Sequence, residues 1–418
     1  MARVLDVYLH EVLAGKLIQD DGGQMRFRYT EDWLGNAKAV PLSYSLPLRE
    51  EEFSHRDCAG FFNGILPEEA GRELISKNLG ISARNDFSML AEIGRECAGA
   101  VIFMPEGEPL PEKEYHYRPL DEASLAQILR ELPTRPLLAG GGEVRLSLAG
   151  AQSKIAVAVT EEGISLPLGG APSTHILKPV VERFEGIVYN EAFCMRLAAE
   201  AGLPVAPVDF GQAEDIDYLL VERYDRKRTT DGRILRLHQE DFCQALGIVS
   251  ENKYQNEGGP SLKDCFALLR EASIAPVIDL RLLLDAVIFN VLIGNHDAHG
   301  KNFSLLYDQY NGMLGALLPT SYQAKAKLAP FYDLIATTVY PELSSKMAMK
   351  IGGEYQSELL LDRHFAKLAE DAGLSASMTV ARRDELAETV LAALGNIHIT
   401  HPAAETVREH ITARCRSY

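Results

Sequence analysis

The segment Gly294–Asn302 places Asp297 and Asn302 five positions apart, directly after a long apolar stretch. Phosphoryl-transfer enzymes use this D-x-x-x-x-N spacing to set a carboxylate beside the attacking hydroxyl and an amide oxygen beside a magnesium ion. Lys301, between the two, is a candidate for neutralising charge on the transferred phosphoryl group. Because the same spacing also occurs in ordinary surface turns, it indicates phosphoryl transfer only together with other elements.

A second acidic side chain, Asp333, lies 31 positions after Asn302 and follows the stiff apolar run Pro330–Tyr332. Magnesium prefers carboxylate, amide and phosphate oxygens, so Asn302 and Asp333 are the predicted metal ligands. Leu334 follows Asp333, and the D-F-G motif of many kinases is therefore incomplete. The metal site depends on these two distant side chains meeting in one cleft.

Two earlier segments have residues suited to binding phosphates. Ser147–Lys154 is a loop of small residues before the β-type run Ile155–Val159, and small residues let backbone N–H groups approach phosphate oxygens. The loop is neither a Walker A sequence nor a G-x-G-x-x-G motif. Lys178 ends another β-type run, from which a lysine can reach the phosphates, and Glu191 on the next helix is its candidate ion-pair partner.

The order of these elements is a stronger signal than any one of them. The strand Tyr218–Val221 leads into Glu222–Tyr224, where backbone groups are candidates for hydrogen bonds to an adenine edge. The chain contains, in this order, a phosphate loop, a strand lysine, a helix glutamate, a connecting strand, the D-x-x-x-x-N segment and a metal aspartate. A kinase requires its parts in this order.

The composition is that of a globular enzyme, with 46% apolar and 24% charged residues. A net charge of -17 argues against a dedicated nucleic-acid binder, whose surface would be basic. The six cysteines lack zinc or CxxC spacing, which predicts free thiols in a reducing compartment. Asp6 and Glu11 lie where a signal peptide would need an apolar run. Asp285 interrupts the apolar stretch Leu282–Gly294, so this stretch predicts a buried helix and not a membrane span. We therefore expect a cytoplasmic protein without a membrane span.

The patterning predicts an α+β protein with a bilobal protein-kinase-like fold. Val4–Leu9 and Met25–Tyr29, on either side of the turn signal Asp20–Gly23, predict a hairpin-like arrangement. Prolines and glycines between Pro133 and Gly142 mark a boundary. We predict an N-terminal β-rich subdomain at 1–138, a small lobe with the phosphate loop at 139–225 and a mainly helical lobe with the catalytic loop at 226–418.

With these elements the chain resembles the HipA family, the kinase toxins of bacterial toxin–antitoxin operons. The resemblance covers nearly the whole chain, including the N-terminal segment. It is carried by five motifs in order, which are Ser147–Lys154, Thr174–Pro179, Val221–Arg226, Asn295–Asn302 and Leu328–Asp333. It implies an ATP-dependent serine/threonine protein kinase that uses Mg²⁺.

The resemblance also implies a role for individual residues. Asp297, Lys178 and Lys301 are the expected catalytic residues, with Asn302 and Asp333 as magnesium ligands. The expected nucleotide-lining residues are Ala149, Gly150, Ala151, Gln152, Ser153, Lys154, Lys178, Glu222, Arg223, Tyr224, His299, Gly300, Lys301, Asn302, Tyr332 and Asp333. Ser147 stands where the family has a self-phosphorylated serine, and phosphate there is expected to hold the loop open and switch the enzyme off. Tyr224 replaces a typical phenylalanine, and Ser153 a frequent acidic residue.

The expected partners also follow from the resemblance. It implies a DNA-binding antitoxin of the HipB type that restrains the kinase, with operator DNA bound only through that complex. Family substrates include translation components such as aminoacyl-tRNA synthetases, so a protein substrate of this class is expected.

Other interpretations of the same residues stay open. Small-molecule phosphotransferases share an H-x-D-x-x-x-x-N-like loop, although here His296 directly precedes Asp297. A non-catalytic co-repressor is another possibility, although the lysine and the magnesium ligands are all present. His296 and His299 suggest a zinc pair, but no third ligand pattern accompanies them. Arg382–Arg383 is either a solvated helix face or a DNA contact.

Overall fold

The computed structural model of the protein describes residues 2–110, 115–139, 148–150, 152–181, 183–307 and 325–418. The chain begins with an antiparallel sheet in the strand order β3-β2-β1-β4. Its strands are β1 (Arg3–Leu9), β2 (Val12–Gln19), β3 (Met25–Tyr29) and, later in the chain, β4 (Val101–Pro105). In β3 the side chains alternate between buried and exposed, as a strand with one face on the core requires.

The turn between β1 and β2 contains no glycine. His10 (φ 50°) and Glu11 (φ 68°) both have the left-handed backbone conformation there. Tight hairpin turns normally use glycine, asparagine or aspartate, so the sequence has no turn signal at this point. The predicted hairpin is therefore a three-strand arrangement in which β2 lies between β1 and β3.

The helices of the N-terminal part attach it to the rest of the molecule. They are α1 (Glu31–Leu34), α2 (His55–Gly64), α3 (Glu69–Leu79) and α4 (Asp86–Ile93). A Cβ atom on Gly60 would lie 2.3 Å from the backbone of Gly247, and one on Gly64 would lie 2.4 Å from the side chain of Gln244. The two glycines thus let α2 pack closely against a segment at least 180 residues further along the chain.

A second antiparallel sheet has the strand order β5-β7-β6-β8-β10-β9. Its elements in chain order are β5 (His116–Pro119), α5 (Glu122–Glu131), β6 (Ile155–Thr160), β7 (Gly163–Leu168), β8 (His175–Pro179), α6 (Ile187–Glu200), β9 (Val208–Ala213) and β10 (Ile216–Glu222). The edge strand β5 comes from the predicted N-terminal subdomain, on the other side of the predicted boundary at residue 138 from the rest of this sheet. By pairing with β7 it ties the two β-rich parts together.

The remaining chain is mainly helical, with short strands around the catalytic segment. Its elements are β11 (Arg226–Arg228), β12 (Ile234–Arg236), β13 (His238–Asp241), α7 (Phe242–Ala245), α8 (Leu262–Ala272), α9 (Pro276–Ile293), β14 (Ser304–Tyr307), β15 (Lys327–Leu328), α10 (Asp362–Ala372), α11 (Ala376–Ala393) and α12 (Pro402–Cys415). Helix α9 is apolar around most of its circumference and buried, as its sequence predicts.

Buried apolar side chains form two main clusters. One contains the N-terminal sheet together with Ile155, Val157 and Leu177 of the second sheet. The other joins α6 to α8, α9 and the C-terminal helices. Because the second sheet has one face on each cluster, the space between it and the helical lobe is bounded by elements from all three parts of the chain. Within the described ranges, no helix is both long and apolar enough to cross a membrane.

Candidate active site

A cavity of about 510 Å³ lies between the second sheet and the helical lobe. Asp297, Asn302, Asp333 and Lys178 all line it, although up to 155 residues separate them along the chain. The other predicted residues in its wall are Ala149, Gly150, Gln152, Lys154, Glu222, Arg223, Tyr224, His299, Lys301 and Tyr332. The fold thus brings most of the predicted phosphate, metal and catalytic groups around one enclosed space.

Two of the predicted residues that the structure describes do not line this cavity, and two others lie outside the described residues. Ser147 and Ala151 lie outside the residues that the structure describes. Ser153 is half-buried but does not line the cavity. Gly300 is buried against Pro260 and Cys243, where a Cβ atom would lie only 2.5 and 2.9 Å from their side chains. Gly300 therefore serves the packing of the loop.

The segment predicted to be catalytic, Gly294–Asn302 (hereafter the catalytic segment), begins where α9 ends at Gly294. Gly294 has a φ of 72°, and a Cβ atom there would lie 2.1 Å from the hydroxyl of Thr338. This position therefore requires glycine, which ends the helix in the left-handed conformation. After the turn, the backbone N–H of Asp297 donates to Oδ1 of Asn295, 3.0 Å away, and the side chain of Asn295 donates to Asn290 on α9. The buried asparagines thus hold the exposed carboxylate of Asp297 at the cavity.

Lys178 on β8 is the cation at the centre of the site. Its ammonium lies 2.7 Å from Oε1 of Glu191 on α6 and also donates to Oδ1 of Asp333. Burial disfavours the charged lysine, but the carboxylates of Asp333 and Glu191 outweigh this and raise the pKa of Lys178. The ion pair predicted between Lys178 and Glu191 is thus confirmed, and it ties the sheet to α6.

The two acidic partners of Lys178 differ in their electrostatics. Burial opposes the ionisation of Asp333, but the Lys178 and Lys154 ammonium groups outweigh it and hold the pKa of this carboxyl well below its usual range. Burial raises the pKa of Glu191, which Lys178 offsets only in part. The stronger anion is therefore the more exposed of the two, because the Asp333 side chain is 39% exposed and that of Glu191 only 6%.

Asp333 has a left-handed backbone, with a φ of 54°. This conformation is uncommon for a residue with a side chain and persists only where the surroundings impose it. Here the backbone two residues earlier is fixed by a neighbouring segment. The N–H of Phe331 donates to the carbonyl of Pro204, and the carbonyl of Phe331 accepts from the N–H of Ala206. The backbone conformation thus turns the carboxylate toward Lys178.

The phosphate loop touches the N-terminal part of the chain. Gly150, with a φ of 107°, forms a bridge with Pro67, and the N–H of Glu68 lies 3.4 Å from the Gly150 carbonyl. The ammonium of Lys154 donates a hydrogen bond to the carbonyl of Ala149, 2.8 Å away. This bond closes the loop between the two residues. Burial lowers the pKa of Lys154, with Asp333 opposing the shift.

The segment that joins the lobes is held in place by both the side chain and the backbone of Arg223. The guanidinium of Arg223 is buried and bonds both oxygens of Asp225 at 2.9 and 2.8 Å, with Glu96 of the N-terminal part 3.6 Å away. The N–H of Arg223 donates to Thr174. Arg223 therefore anchors the segment through its buried guanidinium. Tyr224 stacks on Tyr332 with ring centroids 5.7 Å apart.

Lys301 is held by buried carboxylates. Its ammonium lies 2.7 Å from Oδ2 of Asp241 and 3.6 Å from Glu68, and it donates to the carbonyl of Gly64. Burial disfavours its charge, but Asp241 and Glu68 outweigh that cost and raise its pKa. Lys253 pairs with the same Glu68 at 2.9 Å. The acidic group that compensates both lysines thus comes from the N-terminal part of the chain.

Several lining residues have no signal in the sequence. They are Gly64, Ile65, Glu68, Ala98, Asp241 and Lys253. None belongs to a motif of known chemistry, and each comes to the cavity through packing between parts distant in sequence. Glu68 is unusual because it is an acidic residue that is only 6% exposed, but its burial cannot be read from the sequence.

The two histidines of the catalytic segment have different surroundings. His296 is buried, and its ring nitrogens contact the Ser344 carbonyl at 3.2 Å and the Ser357 hydroxyl at 2.7 Å. His299 lines the cavity, and burial lowers its pKa. Across the described ranges, no three His, Cys, Asp or Glu side chains are arranged to hold a metal ion. The geometry gives the alternative of a zinc pair no third ligand.

The arginine pair on α11 is not a solvated face. Arg382 bonds both oxygens of Asp285 at 2.7 and 3.0 Å. Arg383 is 5% exposed, pairs with Asp362 and packs over the rings of Phe365 and Tyr418. The prediction of a solvated pair is wrong because both guanidinium groups join α11 to neighbouring elements.

The architecture is bilobal, with a β-rich small lobe, a helical large lobe and the cavity between them, which is the α+β protein-kinase-like class. Family models match two parts of the chain, the HipA N-terminal domain over residues 5–104 and the HipA-like C-terminal domain over residues 146–394. The chain therefore belongs to the HipA family of serine/threonine-protein kinases.

Individual relatives extend this similarity over nearly the whole chain. A Sinorhizobium fredii protein named "Putative kinase Y4mE" is 46% identical over 401 residues, which cover 94% of this chain and 92% of the relative. The serine/threonine-protein kinase toxin HipA of Shewanella oneidensis is 29% identical, with 99% of this chain and 95% of the relative covered. A solved structure of Shewanella oneidensis HipA with HipB and operator DNA superposes with a TM-score of 0.84 at 28% identity and covers 99% of this chain and 97% of that one.

The buried contacts of Lys301 predict a cost in stability when they are broken. Lys301→Met leaves Asp241 and Glu68 without their shared cation, so we expect a loss of about 3–5 kcal/mol in the free energy of unfolding. Adding Asp241→Asn removes one uncompensated charge, and the double variant should recover part of this loss. Urea unfolding of the single and double variants measures both effects.

The matched control is the exposed pair of Lys367 and Glu370, 2.8 Å apart. Lys367→Met should leave the free energy of unfolding nearly unchanged, because solvent screens exposed pairs. A cost for Lys301→Met no larger than that for Lys367→Met would show that the buried contacts do not stabilise the fold.

Proposed function

We propose that the protein is an ATP-dependent serine/threonine kinase that acts as the toxin of a toxin–antitoxin pair. The observation that carries this proposal is the shared cavity, which Asp297, Asn302, Asp333 and Lys178 all line and where Asp333 pairs with the ammonium of Lys178. A carboxylate, an amide and a lysine in one enclosed space are the groups that phosphoryl transfer needs. Membership of the HipA family supports the same activity.

The cavity fits a magnesium nucleotide in size and in chemistry. A volume of about 510 Å³ is in the range of small-molecule sites. The Asn302 amide oxygen and the Asp333 carboxylate would hold Mg²⁺, which usually takes one or two protein ligands together with phosphate oxygens and water. When bound, the ion neutralises phosphate charge. Lys178 and Lys154 are the cations that would face the phosphates, and Ile176, Ala206 and Val221 supply apolar wall for a base.

In the proposed reaction Asp297 accepts the proton of the acceptor hydroxyl while that oxygen attacks the terminal phosphoryl group. Glu191 keeps the Lys178 ammonium in place, so positive charge already faces the phosphates before transfer begins. Lys301 is proposed as a further catalytic cation, and its buried partners Asp241 and Glu68 would hold its charged head at the cavity wall. His299 and Tyr332 complete the proposed nucleotide site with the loop Ala149–Lys154 and Glu222–Tyr224, and the packing of Gly300 against Pro260 and Cys243 would support His299 from behind.

Ser147 is the proposed self-phosphorylation site. It directly precedes Leu148, which is buried at the cavity, and the loop beyond it contacts Pro67 through Gly150. A phosphate on this loop would add negative charge and bulk close to the contact between Gly150 and Pro67. We infer that the modified loop leaves the cavity and that the enzyme is then inactive.

The proposed partner is a DNA-binding antitoxin of the HipB type. The Shewanella oneidensis relative was solved with HipB and operator DNA. This chain has a net charge of -17, which disfavours direct contact with a phosphate backbone, so operator DNA would be bound through the antitoxin. The proposed substrate is a translation component such as an aminoacyl-tRNA synthetase.

We also propose that the protein acts in the cytoplasm. All six cysteines are free and buried, which suits a reducing compartment. For the organisation of the chain, the division into 1–138, 139–225 and 226–418 remains our proposal, with β5 as the strand that joins the first two parts.

The first prediction concerns the proton acceptor. Asp297→Asn keeps the size of the side chain but removes its basicity, so we expect phosphoryl transfer from Mg-ATP to protein to fall by roughly a hundredfold or more. Radiolabel transfer measures this loss, and phosphoproteomics of cells expressing the native protein or Asp297→Asn identifies the substrate. Asp215→Asn, at an exposed turn, is the control. Equal labelling by the native protein and Asp297→Asn, or phosphate on a sugar or aminoglycoside only, would contradict the proposal.

The second prediction concerns Ser147. Intact mass measurement after incubation with Mg-ATP should show one phosphate fewer on Ser147→Ala than on the native protein. Because the variant cannot be switched off by this route, its activity toward protein should also persist longer. An unchanged phosphate count would remove Ser147 as the modified residue.

The third prediction concerns the partner. The chain alone should not retard an operator DNA fragment on a native gel, whereas the chain mixed with its antitoxin should retard it further than the antitoxin does. Raising the salt concentration should weaken both DNA complexes, because basic residues of the antitoxin make the phosphate contacts. If the chain alone retarded the DNA as strongly as its mixture with the antitoxin does, the proposal that it contacts DNA only through the antitoxin would be wrong.

A further inference from the structure

The hydroxyl of Tyr254 donates a hydrogen bond to Oδ1 of Asp297, 2.7 Å away. Tyr254 lies 43 residues before Asp297, in the segment between α7 and α8, and belongs to none of the motifs. Its ring meets the ring of His299 edge-on, with centroids 5.3 Å apart. The phenol thus lies directly against the catalytic segment from the outer side of the exposed Asp297 carboxylate.

The segment that carries Tyr254 is fixed on both sides. Lys253 pairs with Glu68 and Glu69 at 2.9 and 3.1 Å. Gln255 donates its N–H to the carbonyl of Ala348 and accepts from the N–H of Lys350. These anchors come from opposite ends of the chain, so the position of the phenol beside Asp297 is set by the folded structure.

The contact has a chemical meaning if Asp297 is the proton acceptor of a kinase. During phosphoryl transfer that carboxylate accepts a hydrogen bond from the hydroxyl that will be phosphorylated. The Tyr254 hydroxyl makes this hydrogen bond in the folded chain, at the length of a direct O–H···O contact. It therefore occupies the position of an acceptor hydroxyl.

One feature favours Tyr254 as a reactive hydroxyl. It belongs to the same chain as the site, and a tethered group held near the reaction centre has a very high effective concentration. Burial and the charge of Asp297 raise the pKa of the phenol, so the attack requires a base, and Asp297 lies in hydrogen-bond contact to act as one. A preference for serine and threonine on separate proteins therefore does not exclude this tyrosine.

We propose that Tyr254 is a phosphorylation site of the protein itself, modified within one molecule by the site that contains Asp297. Oη of Tyr254 forms a bond to the γ-phosphorus of ATP, and the bond from that phosphorus to the β–γ bridging oxygen breaks. ADP leaves with the electron pair, and the phenolic proton passes to Asp297. The inference rests on the proposed kinase function and adds a second modified residue to it.

The product cannot keep the present contact. A phosphate on Tyr254 would face the carboxylate of Asp297 and would be repelled by it, whereas the ammonium of Lys253, 5.5 Å from the ring centroid, is the nearby cation. Modification would therefore break the hydrogen bond to Asp297 and move the segment that bears the phosphate.

The test is phosphopeptide mapping of the full chain after incubation with Mg-ATP. Trypsin releases the peptide Tyr254–Lys263, which also contains Ser261, so fragment ions must locate the phosphate. We expect phosphotyrosine at position 254 in the native protein and in Ser147→Ala, in a yield that does not depend on protein concentration. Tyr254→Phe keeps the ring against His299 and should lack this one phosphate.

A matched control is available in Tyr44, whose hydroxyl donates to Glu271 at 2.5 Å away from the cavity. Tyr44→Phe loses a similar tyrosine–carboxylate contact and should keep the native phosphate count. If the native chain labels serine or an added protein and carries no phosphate on Tyr254, the inference is wrong and the kinase function stands. If neither the native chain nor Asp297→Asn transfers phosphate to any residue, both are wrong. Phosphate on Ser261 alone would also overturn the inference.

Discussion

A buried ammonium group must be compensated by nearby anions, and in this protein that requirement organises the whole cleft. Lys178 lies on the middle of a sheet, 6% exposed, and is compensated by Glu191 from a helix and Asp333 from the far side of the cavity. Removing either anion would leave a charge in a medium of low dielectric constant. The ion pairs therefore hold the sheet, helix α6 and the segment around Asp333 together at the cavity.

The same principle extends to the N-terminal part. Glu68 compensates Lys253 and Lys301, and Glu96 lies among Arg223, Arg226 and Arg236. The three arginines outweigh the effect of burial and hold the pKa of Glu96 at about 2. Both glutamates thus stay ionised in the interior. The N-terminal part of the chain is consequently built into the walls of the site, since it supplies counter-charges for the catalytic loop and for the segment between the lobes.

Backbone geometry limits how the catalytic groups can vary. Gly294 ends α9 in a conformation and a space that exclude a side chain, and Asp333 has a left-handed backbone although it is not a glycine. The first position explains why the catalytic segment starts abruptly after an apolar helix. The second shows backbone strain at a charged residue of the cavity wall, which the contacts of Phe331 impose.

The sequence alone determined the class of fold, the family and most of the predicted residues that line the cavity, because the motifs lie in a fixed order and alternate with clear strand and helix patterns. Its errors were local. It missed β2, whose preceding turn has no glycine, and took Arg383 for a solvated residue. Only the tertiary structure decided that Glu68 compensates Lys253 and Lys301, and that Tyr254 lies against Asp297. Those contacts join segments more than 40 and in two cases more than 180 residues apart, and no local pattern records them.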